Sequence, residues 1–331
     1  MHGILAASAL ALALLIGTSA VTAHESAISH VHVTNSMAPD YEWFYILWQR
    51  DIPFAEIPGV DPNLLSLDIY SMDPTMHTPQ ENAPVFVYVH GGGGTRGDKA
   101  WPRDLGEKPV WFPRKLGMLF VSINYRLGDA GAYPAAQQDV ANAVAWVHDH
   151  IAEFGGDPDR IVLAGHSAGA SLVSRVATND SFLNNAGKDL TILKGAITID
   201  GGGFNALSRA DTPAGRASLV ETYGPDRSDW EAASPLHIAT RQDHYIPDWL
   251  LLHVGNFGIG QAAGASGGSE TDAMTMAAAL RSSGHKATVA ELIGKDHFGS
   301  SVDIGRIDDP VTLAVQRFLA EVVGANAADT P

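Results

Sequence analysis

A serine lies in the pentapeptide Gly165-His166-Ser167-Ala168-Gly169, directly after the apolar run Ile161 to Ala164. A serine hydroxyl is a weak nucleophile unless a sharp turn presents its oxygen to a base, and flanking glycines permit that turn. The pattern G-x-S-x-G also occurs by chance, and Ser167 alone would suit a helix cap. Its position between a strand-like run and a helix-like segment is the context that a nucleophile requires. We therefore predict that Ser167 is a nucleophile.

Four glycines follow His90 at the end of the apolar run Val85 to His90. Successive glycines allow several backbone N–H groups to point at one place, which is what stabilises a tetrahedral oxyanion. A phosphate-binding loop is a poor alternative, because no Gly-Lys-Ser/Thr follows and no G-x-G-x-x-G opens a helix. We expect Gly91 to Gly94 to serve an oxyanion rather than a phosphate or a plain flexible loop.

A histidine stands where the general base of such a serine is expected. His297 follows the last strand-like run, and no other histidine comes after it. In hydrolases with a strand-turn-helix nucleophile, the base comes last in chain order. We therefore predict that His297 is the base.

These residues need a scaffold that brings them together. Short apolar runs alternate with segments of helical spacing, which is typical of a mostly parallel sheet with helices on both faces. The predicted strands are Leu64 to Ser71, Val85 to His90, Leu119 to Ile123, Ile161 to Ala164, Gly195 to Ile199, Trp249 to Val254 and Thr288 to Ile293. The predicted helices are Ala135 to Phe154, a helix from Ala168, Thr271 to Ser283 and Val311 to Val323.

Two stretches interrupt this alternation. Gly201 to Pro247 is too long for a simple crossover, and we expect helices and loops that partly cover a site. Gly255 to Ser269 is rich in glycine, alanine and serine and is expected to be mobile. The sequence thus predicts one α/β domain at 61–325 with a modest insertion after the sixth strand. An N-terminal segment at 24–60 precedes the domain, and a disordered tail at 326–331 follows it.

The motifs together resemble the bacterial α/β-hydrolase esterases that are related to hormone-sensitive lipase and to carbohydrate acyl esterases. The runs that carry the resemblance are Val87 to Gly93, Arg96 to Lys99, Asn124 to Leu127, Gln138 to Val140, Gly155 to Arg160 and Gly165 to Ala170. It extends from Val85 to Ser174 and resumes more loosely from Trp249 to Leu319. The resemblance implies the α/β-hydrolase fold and hydrolysis of a small-molecule carboxylic ester through a Ser/His/acid triad, with no metal and no cofactor.

The resemblance also assigns roles to residues of this sequence. It implies that Ser167 is the nucleophile and His297 the base. It implies further that the N–H groups of Gly92, Gly93 and Ala168 form the oxyanion hole.

The sequence departs from these relatives at two places. Many of them carry an aromatic residue where Gly94 stands, so we expect a more open acyl pocket here. They also place an Asp or Glu a few residues after the strand that corresponds to Trp249 to Val254. In this chain that stretch reads His253-Val254-Gly255-Asn256-Phe257, which contains no carboxylate.

The triad acid is therefore left open among several residues. Asp200 ends the strand before, at the correct edge of the sheet, and the acid can occur on that strand in this fold. We predict Asp200 as the acid, with a turn residue as the alternative interpretation. Glu270 and Asp272 are rivals if the loop at 255–269 folds back, and Asn256 would at best orient the imidazole. A site with no triad carboxylate is the remaining alternative.

Composition excludes several classes of protein. The chain has 331 residues with 21 Lys and Arg against 37 Asp and Glu, a net charge of −16. Because polyanions are repelled by this charge, nucleic acid is not expected as a partner. The chain contains no cysteine, which excludes disulfide scaffolds, thiolate zinc sites and cysteine nucleophiles. No segment approaches 18 consecutive apolar residues, so no membrane span is expected.

The first residues have the pattern of a signal peptide. Ile4 to Ile16 is an uninterrupted apolar run of 13 residues, followed by small residues that end at Ala23. This length matches the hydrophobic region of a signal peptide and is too short for a bilayer. Met1-His2-Gly3 departs from the usual pattern because it has no Lys or Arg. We expect residues 1–23 to be a signal peptide that is cleaved near Ala23, and the protein to be secreted or periplasmic.

Two other functions remain open from the sequence. An amide-directed relative of the arylformamidase kind would use the same triad. A non-catalytic binding protein on a hydrolase fold would account for a missing acid. The sequence does not encode the acyl length or the alcohol of the substrate in any pattern that we can interpret.

Overall fold

The computed structural model describes residues 27–33, 44–241, 243–255 and 269–326 of the chain. The predicted signal peptide, Asn256 and residues 327–331 of the predicted tail lie outside these residues. Within them, one sheet of nine strands runs through the molecule. The strands are β1 (Ala27–Val33), β2 (Phe44–Pro53), β3 (Ser66–Met72), β4 (Ala83–Val89), β5 (Leu119–Ile123), β6 (Gly156–His166), β7 (Leu193–Ile199), β8 (Asp248–His253) and β9 (Ala287–Glu291).

The sheet is antiparallel at one side and parallel over the rest. Its spatial order is β1-β2-β3-β5-β4-β6-β7-β8-β9. The pairs formed by β1, β2, β3 and β5 are antiparallel, whereas β5, β4, β6, β7, β8 and β9 run parallel. The mostly parallel sheet predicted from the sequence is confirmed. Strands β1 and β2 lie in the segment 24–60 and extend the same sheet.

Helices pack on both faces of this sheet. They are α1 (Pro102–Leu105), α2 (Lys108–Trp111), α3 (Ala135–His150), α4 (Ala168–Val176), α5 (Ser181–Asn185), α6 (Pro213–Tyr223), α7 (Arg227–Ala232), α8 (Pro235–Ala239), α9 (Ser269–Ser282), α10 (Gly299–Val302) and α11 (Pro310–Val323). Within the described ranges, none of them is long and apolar enough to cross a bilayer.

The core is divided by the alternation of side chains along each strand. Val85, Val87 and Val89 of β4 belong to an apolar cluster that includes buried residues of α3, α4 and α9. Phe86 and Tyr88, the residues between them, belong to a second cluster that includes residues of α2 and α11. Burial on both faces explains why β4 appears in the sequence as a continuous apolar run.

Local signals in the sequence set the ends of the long helices. Asp309 caps α11 by accepting a hydrogen bond from the N–H of Val311, and Pro310 occupies the first turn. Gly324 ends that helix in the left-handed conformation, with φ of 62°. The predicted helix Ala135 to Phe154 is α3 followed by a short 3-10 turn, and Gly155 ends it with φ of 87°.

The residues between β7 and β8 form the predicted insertion, which contains α6, α7 and α8. It follows β7, which is the seventh strand in chain order and the fifth of the seven strands that the sequence patterns predict, so its predicted position after the sixth strand is wrong. Its small apolar cluster includes Leu219 and Trp230. Arg175 of α4 binds the insertion through the carbonyl oxygen of Ala233 and the hydroxyl of Tyr223, each at 3.2 Å.

Candidate active site

Ser167 and Asp200 lie at the carboxyl ends of neighbouring parallel strands. His166, the last residue of β6, pairs in register with Ile199, the last residue of β7. Ser167 and Asp200 are therefore the next residues along the two strands. The N–H of Ser167 donates to the carbonyl oxygen of Ile199 at 3.0 Å. The two side chains thus start from adjacent points on the edge where open α/β sheets bind ligands.

The turn at Ser167 has a strained backbone. Its φ is 55° and its ψ is −118°, a combination that residues with a Cβ rarely adopt. Glycine is needed on both sides, because the start of α4 lies against the ends of β4 and β6. A Cβ on Gly169 would lie 2.2 Å from the carbonyl oxygen of Val89, and one on Gly165 would lie 2.5 Å from the backbone of Gly169. Because a larger residue would collide at either position, the pentapeptide carries glycine at both.

His297 contacts both of these side chains from the loop after β9. Its Nε2 lies 2.9 Å from Oγ of Ser167, and its Nδ1 lies 2.6 Å from Oδ2 of Asp200. Because a carboxylate only accepts, Nδ1 carries the proton when Asp200 is charged, which leaves Nε2 free to accept from the hydroxyl. The chain of contacts can therefore move the serine proton onto the imidazole.

The surroundings of Asp200 keep its carboxylate charged. Its φ is 43°, and its side chain is buried. Oδ1 accepts a hydrogen bond from the N–H of Val254 at 3.2 Å. Burial alone would raise the pKa of Asp200, but the hydrogen bond with His297 and further donors outweigh it and hold the pKa below its ordinary value. A charged Asp200 can stabilise the imidazolium that forms on His297.

The rival acids lie elsewhere. Asp272 accepts a hydrogen bond from the N–H of Gly203 at 2.7 Å, and burial raises its pKa. Glu270 stands beside it in the first turn of α9. In the part of the chain that the structure describes, the only carboxylate hydrogen-bonded to His297 is Asp200. The alternative of a non-catalytic binding protein rested on the lack of a carboxylate for His297. Because Asp200 contacts His297, that argument no longer applies.

The glycine loop after β4 lies close to Ser167. A Cβ on Gly91 would lie 3.1 Å from the Cβ of Ser167. Gly92 has a φ of 115°, and its carbonyl oxygen accepts from the N–H groups of Thr95 and Arg96. Ala168 is the first residue of α4, where backbone N–H groups have no partner within the helix. The loop and the start of α4 therefore both lie next to Ser167, and the oxyanion hole of Gly92, Gly93 and Ala168 stays a prediction.

Part of the chain is similar to proteins that are already known. Residues 49–185 match the carboxylesterase family. Esterase LipQ of Mycobacterium tuberculosis is 39% identical over 138 residues, which are 40% of this chain and 30% of LipQ. Para-nitrobenzyl esterase of Bacillus subtilis is 31% identical over 138 residues, which are 37% of this chain and 26% of that enzyme. Over residues 49–185 the chain is therefore similar to the α/β-hydrolase carboxylesterases.

Solved structures support the same fold over most of the described residues. An esterase from Thermogutta terrifontis superposes with a TM-score of 0.63 at 23% identity, covering 84% of this chain and 94% of that one. This likeness confirms the α/β-hydrolase fold. By sequence, the chain spans only about a quarter to a third of the length of the two curated relatives that it matches.

Sequence reasoning missed a buried polar cluster behind Ser167. It consists of Asp104, Lys108, His166 and Ser301, all of which are buried. Its members come from three distant parts of the chain, with Asp104 and Lys108 only four residues apart, and they form no recognised motif. Only the place of His166 inside the pentapeptide drew attention to one of them. Among the described residues, no group of three or more His, Asp or Glu side chains is arranged to hold a metal ion.

We predict that Asp104 stabilises the fold in a pH-dependent way. Burial alone would raise the pKa of its carboxyl, but contacts with His166 and Lys108 outweigh it and hold the pKa far below its ordinary value. A carboxyl with a depressed pKa contributes stability that is present above about pH 4 and is lost as the pH falls further. In urea unfolding, the Asp104→Asn variant should therefore be destabilised more at pH 5 than at pH 3. Equal destabilisation at both values would show that Asp104 has no depressed pKa.

Proposed function

We propose that this chain hydrolyses small-molecule carboxylic esters through an acyl-enzyme on Ser167. The observation that carries the proposal is the position of His297, which contacts Oγ of Ser167 at 2.9 Å and Oδ2 of Asp200 at 2.6 Å. The similarity of residues 49–185 to the carboxylesterase family supports ester hydrolysis as the reaction.

The reaction follows from this geometry in two halves. Oγ of Ser167 attacks the ester carbonyl while Nε2 of His297 takes its proton, and the N–H groups of Gly92, Gly93 and Ala168 receive the oxyanion. His297 then returns the proton to the leaving alcohol, and the acyl group stays on Ser167. A water molecule attacks the acyl carbon, gives a proton to His297 and releases the acid when Ser167 regains that proton.

Labelling with an organophosphonate tests the nucleophile. Thermogutta terrifontis esterase 2, which shares the fold, is described as phosphorylated by paraoxon. Reagents of this class react with an activated serine. We expect one adduct per chain, on the tryptic peptide Ile161 to Arg175. An adduct on another peptide, or none on folded protein, would contradict the proposal.

A turnover screen separates esters from amides and defines the substrate. The probes are aryl esters of graded acyl length, acetylated and feruloylated sugars, and an N-formyl arylamine. A Cβ at Gly94 would meet nothing within 4 Å, which supports an open acyl pocket at that position. We expect ester turnover to exceed amide turnover, and the reverse result would favour the arylformamidase-like alternative.

The rate should fall on the acid side with the uptake of one proton. Only the neutral imidazole of His297 accepts the serine proton, so protonation of this ring stops the attack. The measurement is kcat/KM for an aryl ester as a function of pH. A profile that stays flat down to about pH 4.5 would argue against His297 as the base.

We also propose that residues 1–23 direct the protein out of the cytoplasm and are then removed. The apolar run Ile4 to Ile16 and the small residues before Ala23 support this. Expression of the full chain in a bacterial host should give a periplasmic or secreted product whose amino-terminal sequence starts near His24. A cytoplasmic product that retains Met1 would contradict this proposal.

A further inference from the structure

One buried carboxylate contacts three of the segments that build the site. Oδ2 of Asp104 accepts a hydrogen bond from the N–H of Gly91 at 3.0 Å, at the start of the glycine loop. Its Oδ1 accepts from Oγ of Ser301 at 3.0 Å. The same oxygen lies 3.1 Å from Nδ1 of His166, at ion-pair distance but without the alignment of a hydrogen bond.

His166 extends this contact to the base. Its Nε2 lies 2.8 Å from the carbonyl oxygen of His297, and because a carbonyl only accepts, Nε2 is the donor. The ring centroids of His166 and His297 are 4.7 Å apart. The backbone of His297 is thus connected through His166 to Asp104, which also holds Gly91.

Lys108 fixes the helix that follows the base. Its ammonium donates to the carbonyl oxygen of Asp104 at 2.6 Å and to the carbonyl oxygen of Ser301 at 2.8 Å. It also lies 4.8 Å from the centre of the Tyr88 ring. Burial lowers its pKa to about 8, which leaves it charged at neutral pH. Through these two hydrogen bonds, Lys108 on α2 connects the backbone of α1 with that of α10. Helix α10 begins two residues after His297.

The backbones of these two helices are also in close contact. A Cβ on Gly106, directly after α1, would lie 2.1 Å from the carbonyl oxygen of Val302 at the end of α10. A displacement of α1 would therefore be transmitted to α10 and to the loop that carries His297. Interiors are close-packed, so such a displacement is not absorbed locally.

We propose that Asp104 is a positioning residue that sets the distance between the glycine loop and His297. Each partner of its carboxylate belongs to a segment of the site: Gly91 to the glycine loop, His166 to the end of β6 and Ser301 to α10. A carboxylate that served the core alone would not need partners on all three. The inference rests on the proposed function, because the distance matters only if an oxyanion and a proton transfer occur there.

The test is the Asp104→Asn variant, which keeps the size of the side chain and removes its charge. We expect kcat for an aryl ester to fall about 100-fold, the usual cost of a misplaced catalytic group, while KM changes by less than about threefold. The affinity for a trifluoromethyl ketone, whose adduct on Ser167 mimics the tetrahedral intermediate, should fall by the same factor as kcat/KM.

The matched control is Asp139→Asn. Asp139 is also fully buried, and its carboxylate pairs with the guanidinium of Arg126 at 2.7 Å on both oxygens. This variant should lose stability but keep kcat and ketone affinity once both are scaled to the folded fraction. If Asp104→Asn behaves in the same way, its role is structural and the proposal is wrong.

Two further measurements keep the proposal open to refutation. If Asp104→Asn does not fold, His166→Gln tests the same connection, and an unchanged ketone affinity in that variant would overturn the proposal. If the wild-type chain hydrolyses no ester, the proposed function fails by itself. The imidazole Nδ1 proton of His297 then reports on positioning by NMR, and a resonance unchanged between wild type and the Asp104 or His166 variant would overturn the inference.

Discussion

Replacing Ser167 by alanine lowers kcat for an aryl acetate by roughly 10⁴- to 10⁶-fold. The reason is that the acyl group loses its only covalent attachment point, so that any remaining turnover comes from the oxyanion donors and substrate binding. The variant should fold, because alanine removes one oxygen from a partly exposed position. Initial rates with purified protein and an active-site titration of the wild type measure the effect.

Ser174→Ala is the matched control for this experiment. Ser174 lies on the same helix α4, is fully buried, and its hydroxyl donates to the carbonyl oxygen of Ser171 at 2.9 Å. We expect its kcat to stay within about twofold of wild type, because its hydroxyl bonds within its own helix and has no hydrogen bond to Ser167, Asp200 or His297. If Ser167→Ala keeps more than about a hundredth of the wild-type kcat, the acyl-enzyme mechanism of this chain is wrong.

Replacing Asp200 by alanine should cost roughly 10³- to 10⁴-fold in kcat. Without the carboxylate, Nδ1 of His297 loses its acceptor at 2.6 Å, so the imidazole no longer keeps one tautomer and its cation is no longer stabilised. The N–H of Val254 loses an acceptor as well, and we expect a measurable loss of stability. Scaling kcat to the folded fraction separates the two effects.

Single alanine variants of the rival residues decide whether the acid is assigned correctly. Glu270→Ala should be close to wild type in kcat. Asp272→Ala should lose stability, because the N–H of Gly203 is left without its acceptor at 2.7 Å, and should keep most of its kcat. Asn256→Ala completes the set. A larger loss of kcat in one of these three variants than in Asp200→Ala would move the triad acid to that residue.

The sequence by itself determined the parts of this protein that depend on local physics. The turn at Ser167 requires small residues on both sides, and the glycines that supply them stand next to it in the chain. The strands β4, β5, β7 and β8 are largely apolar because they are buried, and the helices between the strands have the spacing of a buried face. Chain order then placed His297 after the last strand. These features are encoded within a few residues of where they act.

The tertiary structure decided what depends on residues that are distant in sequence. Asp200, Glu270 and Asp272 are comparable carboxylates in the sequence, and only the register of β6 with β7 places Asp200 beside Ser167. The strands β1 and β2 join the sheet by antiparallel pairing with no short motif of their own. Asp104 contacts Gly91, His166 and Ser301 only after four segments have packed together. Such contacts are set by the relative placement of whole strands and helices, which no local pattern encodes.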